Sequence, residues 1–199
     1  MNQRASRPSL VEDATLVTRL QRGDPRAVEY VVQHHAPELY RYIYYQVRDA
    51  MTAEDLVADV LVRMVEKVDK YVFDSTPFRA WLFRIARNLV ADHYRARKRR
   101  PQVSYETWMT TDPRNEPGHV DDGIEVLGDR QELQVLLARL TDEQREVILL
   151  HVVEGWELPQ VARLLERTLP AVKSAYYRGV QSLRRGITRD GSTGGRVSA

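Results

Sequence analysis

The chain has no cysteine. That removes disulfides and thiolate-held metals, and it fits a reducing cytoplasm. No stretch approaches the roughly 18 apolar residues of a membrane span. The opening residues, MNQRASRPSLVED, lack the apolar core of a signal peptide. A soluble cytoplasmic protein without membrane insertion is expected. Gly-rich phosphate loops, nucleophile elbows and zinc motifs are all missing. Five histidines occur, and His34-His35 is the one adjacent pair. Neighbours on a helix point apart, so this pair chelates poorly. No metal, cofactor, small-molecule substrate or enzymatic activity is expected. Repeats and strand-period alternation are absent too. Little net charge remains, +2 at pH 7, so the distribution of charge is more informative than its sum.

That distribution is uneven. Residues 84–100 hold seven Lys/Arg against one Asp, and residues 104–132 hold eight Asp/Glu against two Arg. The basic block lies in Phe78–Arg100, FRAWLFRIARNLVADHYRARKRR. Here Phe78, Trp81, Leu82, Ile85, Ala86 and Leu89 recur at three- and four-residue steps and share one helical face. Arg84, Arg87, Tyr94 and Arg95 fall on or near the opposite face, with Asn88 at its edge. One face suits a core. The other suits a polyanion, through counter-ion release and through base contacts by Asn, Arg and Tyr. The plain alternative is a solvated basic helix.

The spacing predicts an all-α fold of two small helical domains joined by a flexible linker. Residues 1–13 read as a flexible tail. A helical pattern with Leu16, Val17 and Leu20 breaks at Gly23-Asp24-Pro25, where Asp24 suits an N-cap and Pro25 a first turn. Pro37 is expected to start a separate segment. Thr52 is expected to cap a helix over 53–68, with Asp55 completing a weak capping box. Residues 72–77 read as a loop before the basic helix, which ends the first domain, 14–100. Residues 101–128, rich in Pro, Gly and acids, read as the linker. Helices resume over 129–186, where Thr141 with Gln144 forms a capping box. Residues 187–199 read as a disordered tail.

Within 129–186, a short helix opened by Pro159 and a long one capped by Thr168 have helix–turn–helix proportions. Val161, Leu165, Val172, Tyr176 and Leu183 can form the shared core, with small Ala162 at the crossing. Lys173, Ser174, Tyr177, Arg178 and Gln181 are left on the outer face of the second helix. Those residue types suit phosphates and base edges.

At TAEDLVADVLVRMVEKVDKY followed by PFRAWLFRIARNLVADHYRARKRR, the chain resembles regions 2.2 to 2.4 of bacterial RNA polymerase sigma factors. The resemblance is to the extracytoplasmic-function (ECF, group IV) type of the sigma-70 family. LARLTDEQREVILLHVVEGWELPQVARLLERTLPAVKSAYYRGVQSLRR resembles their region 4. The resemblance implies a transcription initiation factor that binds core RNA polymerase, directs it to promoters and assists opening. It implies that Asp55, Asp59 and Arg63 meet the β′ clamp. It implies that the loop 73–77 receives a flipped minus-ten base, with Phe73, Arg84, Arg87, Asn88 and Arg95 as promoter contacts and Tyr71, Phe73 and Tyr94 as stacking candidates. The alternative reading of Asp92 and Arg95 is an i,i+3 pair that braces the helix. Region 4 would touch the β flap. It would read the minus-thirty-five element through Arg167, Thr168, Lys173, Ser174, Tyr177, Arg178 and Gln181. An anti-sigma factor is the further implied partner, and the acidic residues Asp112, Glu116, Asp121 and Asp122 are expected to mimic nucleic acid in the polymerase channel. A stand-alone helix–turn–helix regulator is the alternative.

The chain also departs from the family pattern. Ala58 replaces Gln in the clamp helix. Glu166 replaces the turn Gly, where a positive φ would strain it. Pro170-Ala171 replaces Gly-Thr, and Ala175 replaces Arg.

Overall fold

The structure is a computed structural model. It describes residues 10–72, 77–99 and 130–190, with side chains from 13, within 133–185 in the last stretch. These residues are helical and contain no strand, and their contacts divide the chain into two compact units. Phe73, the acidic residues of 101–128 and the two termini expected to be loose lie outside the described residues, apart from 10–13 and 187–190.

The first unit contains α1 (Leu10–Gln21), α2 (Pro25–Val47) as far as Ile43, α3 (Ala50–Lys67), a 3₁₀ turn at Val68–Lys70, and α4 (Phe78–Arg99). Helix α1 begins inside the stretch read as a tail, and it buries Asp13, Leu16, Val17 and Leu20. Its end is a left-handed cap. Gly23 takes φ 71°, and the Asp24 N–H reaches back to the Arg19 carbonyl at 3.1 Å. Asp24 then turns forward, accepting from the Arg26 N–H at 3.0 Å while pairing with Arg19 at 2.8 Å.

Pro37 does not start a new segment. It lies inside one 23-residue helix. Its missing N–H forfeits a single ladder bond. Burial of Val31 before it and of Leu39, Tyr42 and Ile43 after it carries the helix through. The α2–α3 junction is equally compressed. Arg48 adopts φ 61° and Asp49 follows as the N-cap, its carboxylate accepting from the Thr52 N–H at 2.8 Å. Thr52 is thus the capped residue and not the cap. The stronger carboxylate acceptor three residues upstream starts α3 earlier than the hydroxyl would.

Helix α4 packs chiefly on α3 and buries Phe78, Ala80, Leu82, Phe83, Ile85, Ala86, Leu89 and Val90. Phe83 meets Tyr42 of α2 at a ring separation of 5.4 Å. An ion pair, Arg79 to Glu38 at 2.7 Å, fastens α4 to α2, and the same guanidinium lies 5.2 Å from the Phe83 ring centre. Burial raises the Glu38 pKa, but His35 and Arg79 more than offset this and hold the carboxyl below its ordinary value.

The second unit contains α5 (Arg130–Ala138), α6 (Asp142–Ile148), a wide π turn at Leu149–Val153, α7 (Leu158–Leu164) and α8 (Leu169–Asp190). The Thr141 capping box is present, with the Gln144 N–H donating to Thr141 Oγ1 and the Thr141 N–H to Gln144 Oε1, each at 3.3 Å. Arg145 is buried and donates to the Leu137 and Leu140 carbonyls and to Asp142 at 3.1 Å each. It satisfies the open carbonyls at the end of α5. Gly179 of α8 faces α6 so closely that a Cβ there would stand 3.1 Å from Ile148 Cγ1.

Asp49→Ala should destabilise the first unit by about 1 kcal/mol, the usual worth of an N-cap, and Thr52→Ala clearly less. Urea unfolding measures both. Asp49 and Glu38 are held below their ordinary 3.8 and 4.5. The unfolded chain therefore binds more protons as pH falls. The contribution of both groups is full above about pH 5 and is lost through the depressed pKa values.

Candidate nucleic-acid and polymerase interface

Helix α4 carries its polar residues on the face its core stripe leaves free. Arg84, Asn88, Arg95 and Lys98 recur at steps of four, seven and three and share a strip, with Arg87 beside it. Asn88, Arg95, Arg97, Lys98 and Arg99 are exposed, and Arg84 and Arg87 are half-buried. The Arg84 Nε is buried and lacks a hydrogen bond, so this guanidinium lies close against the helix bundle. Arg95 pairs with Asp92 at 2.6 Å, the bracing arrangement the i,i+3 spacing allows.

The entrance to α4 is aromatic. Tyr71 and Trp81 lie 4.8 Å apart by ring centres, and Phe78 and Trp81 5.6 Å. Tyr71 and Phe78 are buried, while Trp81 is half-exposed. Trp81 packs on both rings, as its place in the inward stripe predicts, and keeps part of its surface toward solvent. Tyr71, expected to be available for stacking, is instead buried against it. Tyr94 is half-exposed against His93, and Phe73 lies outside the described residues.

Helix α3 presents a second surface. Asp55 and Asp59 are exposed, Arg63 is half-buried, and no side-chain partner among the described residues engages them. Beside them runs an apolar strip of Met51, Ala58, Val62 and Val65, all exposed. The inward stripe is Leu56, Val57, Val60 and Met64.

In the second unit, Lys173, Ser174, Tyr177, Arg178 and Gln181 are all exposed on α8, Tyr177 at 62%. Val161, Leu165 and Val172 are buried on the other side, and Tyr176 and Leu183 are half-buried. Ala175 is fully buried, so it packs the helix pair and does not occupy a surface position. Thr168 caps α8, accepting from the Ala171 N–H at 3.4 Å. Arg167 is exposed and pairs with Glu143 of α6 at 2.6 Å. The turn before it is strained as expected. Glu166 takes φ 54°, and the Arg167 N–H closes the end of α7 on the Ala162 carbonyl at 2.9 Å.

No cluster of metal-ligating side chains occurs among the described residues, and no helix there is long and apolar enough to cross a membrane. Two exposed basic and polar helix faces, on α4 and α8, and one apolar strip beside acidic residues on α3 remain as the features to be explained.

Known proteins account for this combination. The sigma-70 region 2 family matches residues 31–100, and sigma-70 region 4 matches residues 130–183. The ECF RNA polymerase sigma factor SigL of Mycobacterium tuberculosis is 33% identical over 75% of this chain and 82% of its own. The chain belongs to the ECF sigma factors. This sigma factor is also 31% identical to the ECF sigma factor BldN of Streptomyces coelicolor, over 88% of the chain and 66% of BldN. Its fold matches CnrH, solved in complex with the cytosolic domain of CnrY, with a TM-score of 0.67 and 25% identity over 89% of this chain and 98% of that one. As a sigma factor, it is a transcription initiation factor.

The sequence reading passed over Arg79, Arg145, Asp13 and Gln21, whose polar contacts hold these surfaces in place. Glu166→Gly should stabilise the second unit by about 1 kcal/mol, by relieving a side chain from the left-handed region. Thermal unfolding of the two proteins measures it.

Proposed function

We propose that this sigma factor works in the cytoplasm by joining core RNA polymerase, with Asp55, Asp59, Arg63 and the apolar strip of α3 on the β′ clamp. Residues 14–100 act as the minus-ten and melting domain. Residues 129–186 act as the minus-thirty-five domain and touch the β flap. Polymerase performs the chemistry, and the sigma factor supplies promoter contacts and strand-separation energy.

The observation that carries this reading is the division of α4. Eight of its residues are buried while its last turns and outer strip are basic. A helix so divided holds DNA-facing cations on a rigid support. Arg84, Arg87 and Asn88 are the contacts assigned to the opened minus-ten strand, with Phe73 in the preceding segment. Arg95 contributes through its pair with Asp92, as a support for the strip or as a phosphate contact when that pair opens.

On the second unit, Lys173, Ser174, Tyr177, Arg178 and Gln181 read the upstream duplex, and Arg167 and Thr168 meet a phosphate at the start of α8. Arg167 must leave Glu143 to do so, and Glu166 adds a negative charge near the same turn. Both features weaken upstream binding, which places more of the recognition on the minus-ten side. An anti-sigma protein covering the docking surfaces keeps the factor inactive. That partner is supported by the solved complex of CnrH with the cytosolic domain of CnrY.

Lys173→Ala and Arg178→Ala should weaken binding to upstream duplex and lower the salt slope by about one unit each if they meet phosphates. Arg87→Ala and Asn88→Ala should impair opening, read by permanganate reactivity, with core binding unchanged. Loss of core binding in all four would make these residues structural. Specific duplex binding without polymerase would favour the stand-alone regulator.

A further inference from the structure

Helix α1 reaches both ends of the segment that leads into α4. At its C-terminal end, Gln21 Nε2 donates to the Val68 carbonyl at 2.9 Å and to the Tyr71 carbonyl at 3.1 Å. Near its N-terminal end, Asp13 accepts from the Phe78 N–H at 3.1 Å. Asp13 is only 4% exposed, whereas Gln21 is exposed. Leu16, Val17 and Leu20 are buried between them, so the strut is seated in the core along its length. All of α1 precedes the stretch matched by sigma-70 region 2.

These bonds act on backbone groups at the two ends of one short span. The Phe78 N–H is one of the open donors of the first turn of α4, and a carboxylate there is favoured by the helix dipole. The Val68 carbonyl opens a short 3₁₀ turn, a weak element by itself, and the Tyr71 carbonyl follows its end. A single helix thereby sets where the chain leaves Tyr71 and where it re-enters at Phe78. Tyr71, Phe78 and Trp81 form one aromatic cluster, so the same span also fixes the ring of Tyr71 that packs against Trp81 at the start of the α4 strip.

We infer that Asp13 and Gln21 are positioning residues for minus-ten recognition, acting through the placement of Tyr71 and Phe78 without touching DNA. This rests on the reading of α4 and its entrance as the minus-ten surface.

The test uses the full chain bound to core polymerase and a single-stranded DNA pool with a randomised hexamer between fixed flanks. Wild type should enrich a defined hexamer. Gln21→Ala should bind that hexamer about fivefold more weakly, the scale of a lost hydrogen bond, and flatten the preference at one or more positions. Its core affinity and salt slope should stay at wild-type values, since no polymerase or phosphate contact is lost, and its unfolding should stay a single cooperative transition. Asp13→Ala should do the same, while Asp13→Asn, which keeps an acceptor for the Phe78 N–H, should restore the preference. If Asp13→Ala does not fold, exposed Gln21 carries the test alone. A wild-type hexamer preference reproduced unchanged by Gln21→Ala overturns the inference and leaves the sigma reading intact. No hexamer preference in wild type overturns the minus-ten reading and this inference together.

Discussion

Helix α4 has to satisfy two environments at once, and most of the first unit is arranged around that demand. Its inward side supplies Phe78, Leu82, Phe83, Ala86 and Leu89 to the core, where α3 and α2 close over them. Burying a large apolar side chain contributes about 1.5–3 kcal/mol, so this stripe outweighs any preference of the basic side for free solvent. The cations are then held on a rigid rod. Their mutual repulsion is relieved locally by the Asp92–Arg95 pair, and at the other end Arg79 is bound to Glu38. A basic helix lacking this inward stripe would have to order its cations at the moment of binding, at an entropic cost.

Polar side chains define where the helices start and stop, and those boundaries decide which faces reach solvent. Asp49 starts α3 early and thereby fixes the rotation that turns Asp55 and Asp59 outward. Arg145 closes α5 and Thr141 opens α6, which seats the hairpin on which α8 rests. The approach of Gly179 to Ile148 brings α6 and α8 close together. The outer face of α8 is left to Lys173, Ser174, Tyr177, Arg178 and Gln181, while Val172 and Ala175 go into that packing. The second unit accepts one strained residue, Glu166, in the turn that sets the angle between α7 and α8.

Much of this was legible in the chain itself. Periodicity located α4 and α8 and separated their inner and outer residues, because 3.6-residue spacing directly encodes one-sided burial. The Thr141 box and the strain at Glu166 were legible because each depends on neighbours within a few residues. What escaped had its cause far along the chain. Pro37 looked like a boundary, since local propensity disfavours it, while burial on both sides keeps α2 continuous. Thr52 looked like a cap because the nearer pattern hid a better acceptor at Asp49. Tyr71 looked available for stacking, yet it is buried against Trp81 and Phe78, because ring burial is decided by three-dimensional packing. Asp13 and Gln21 gave no signal at all, since their partners stand 65 residues and some 50 residues away.

The central claim is that this chain gives polymerase a promoter it cannot find alone. Run-off transcription with purified core polymerase on fragments of the source genome, with and without the protein, tests it most directly. The account predicts a discrete transcript that requires both components. No transcript, together with no binding to core polymerase, would contradict it.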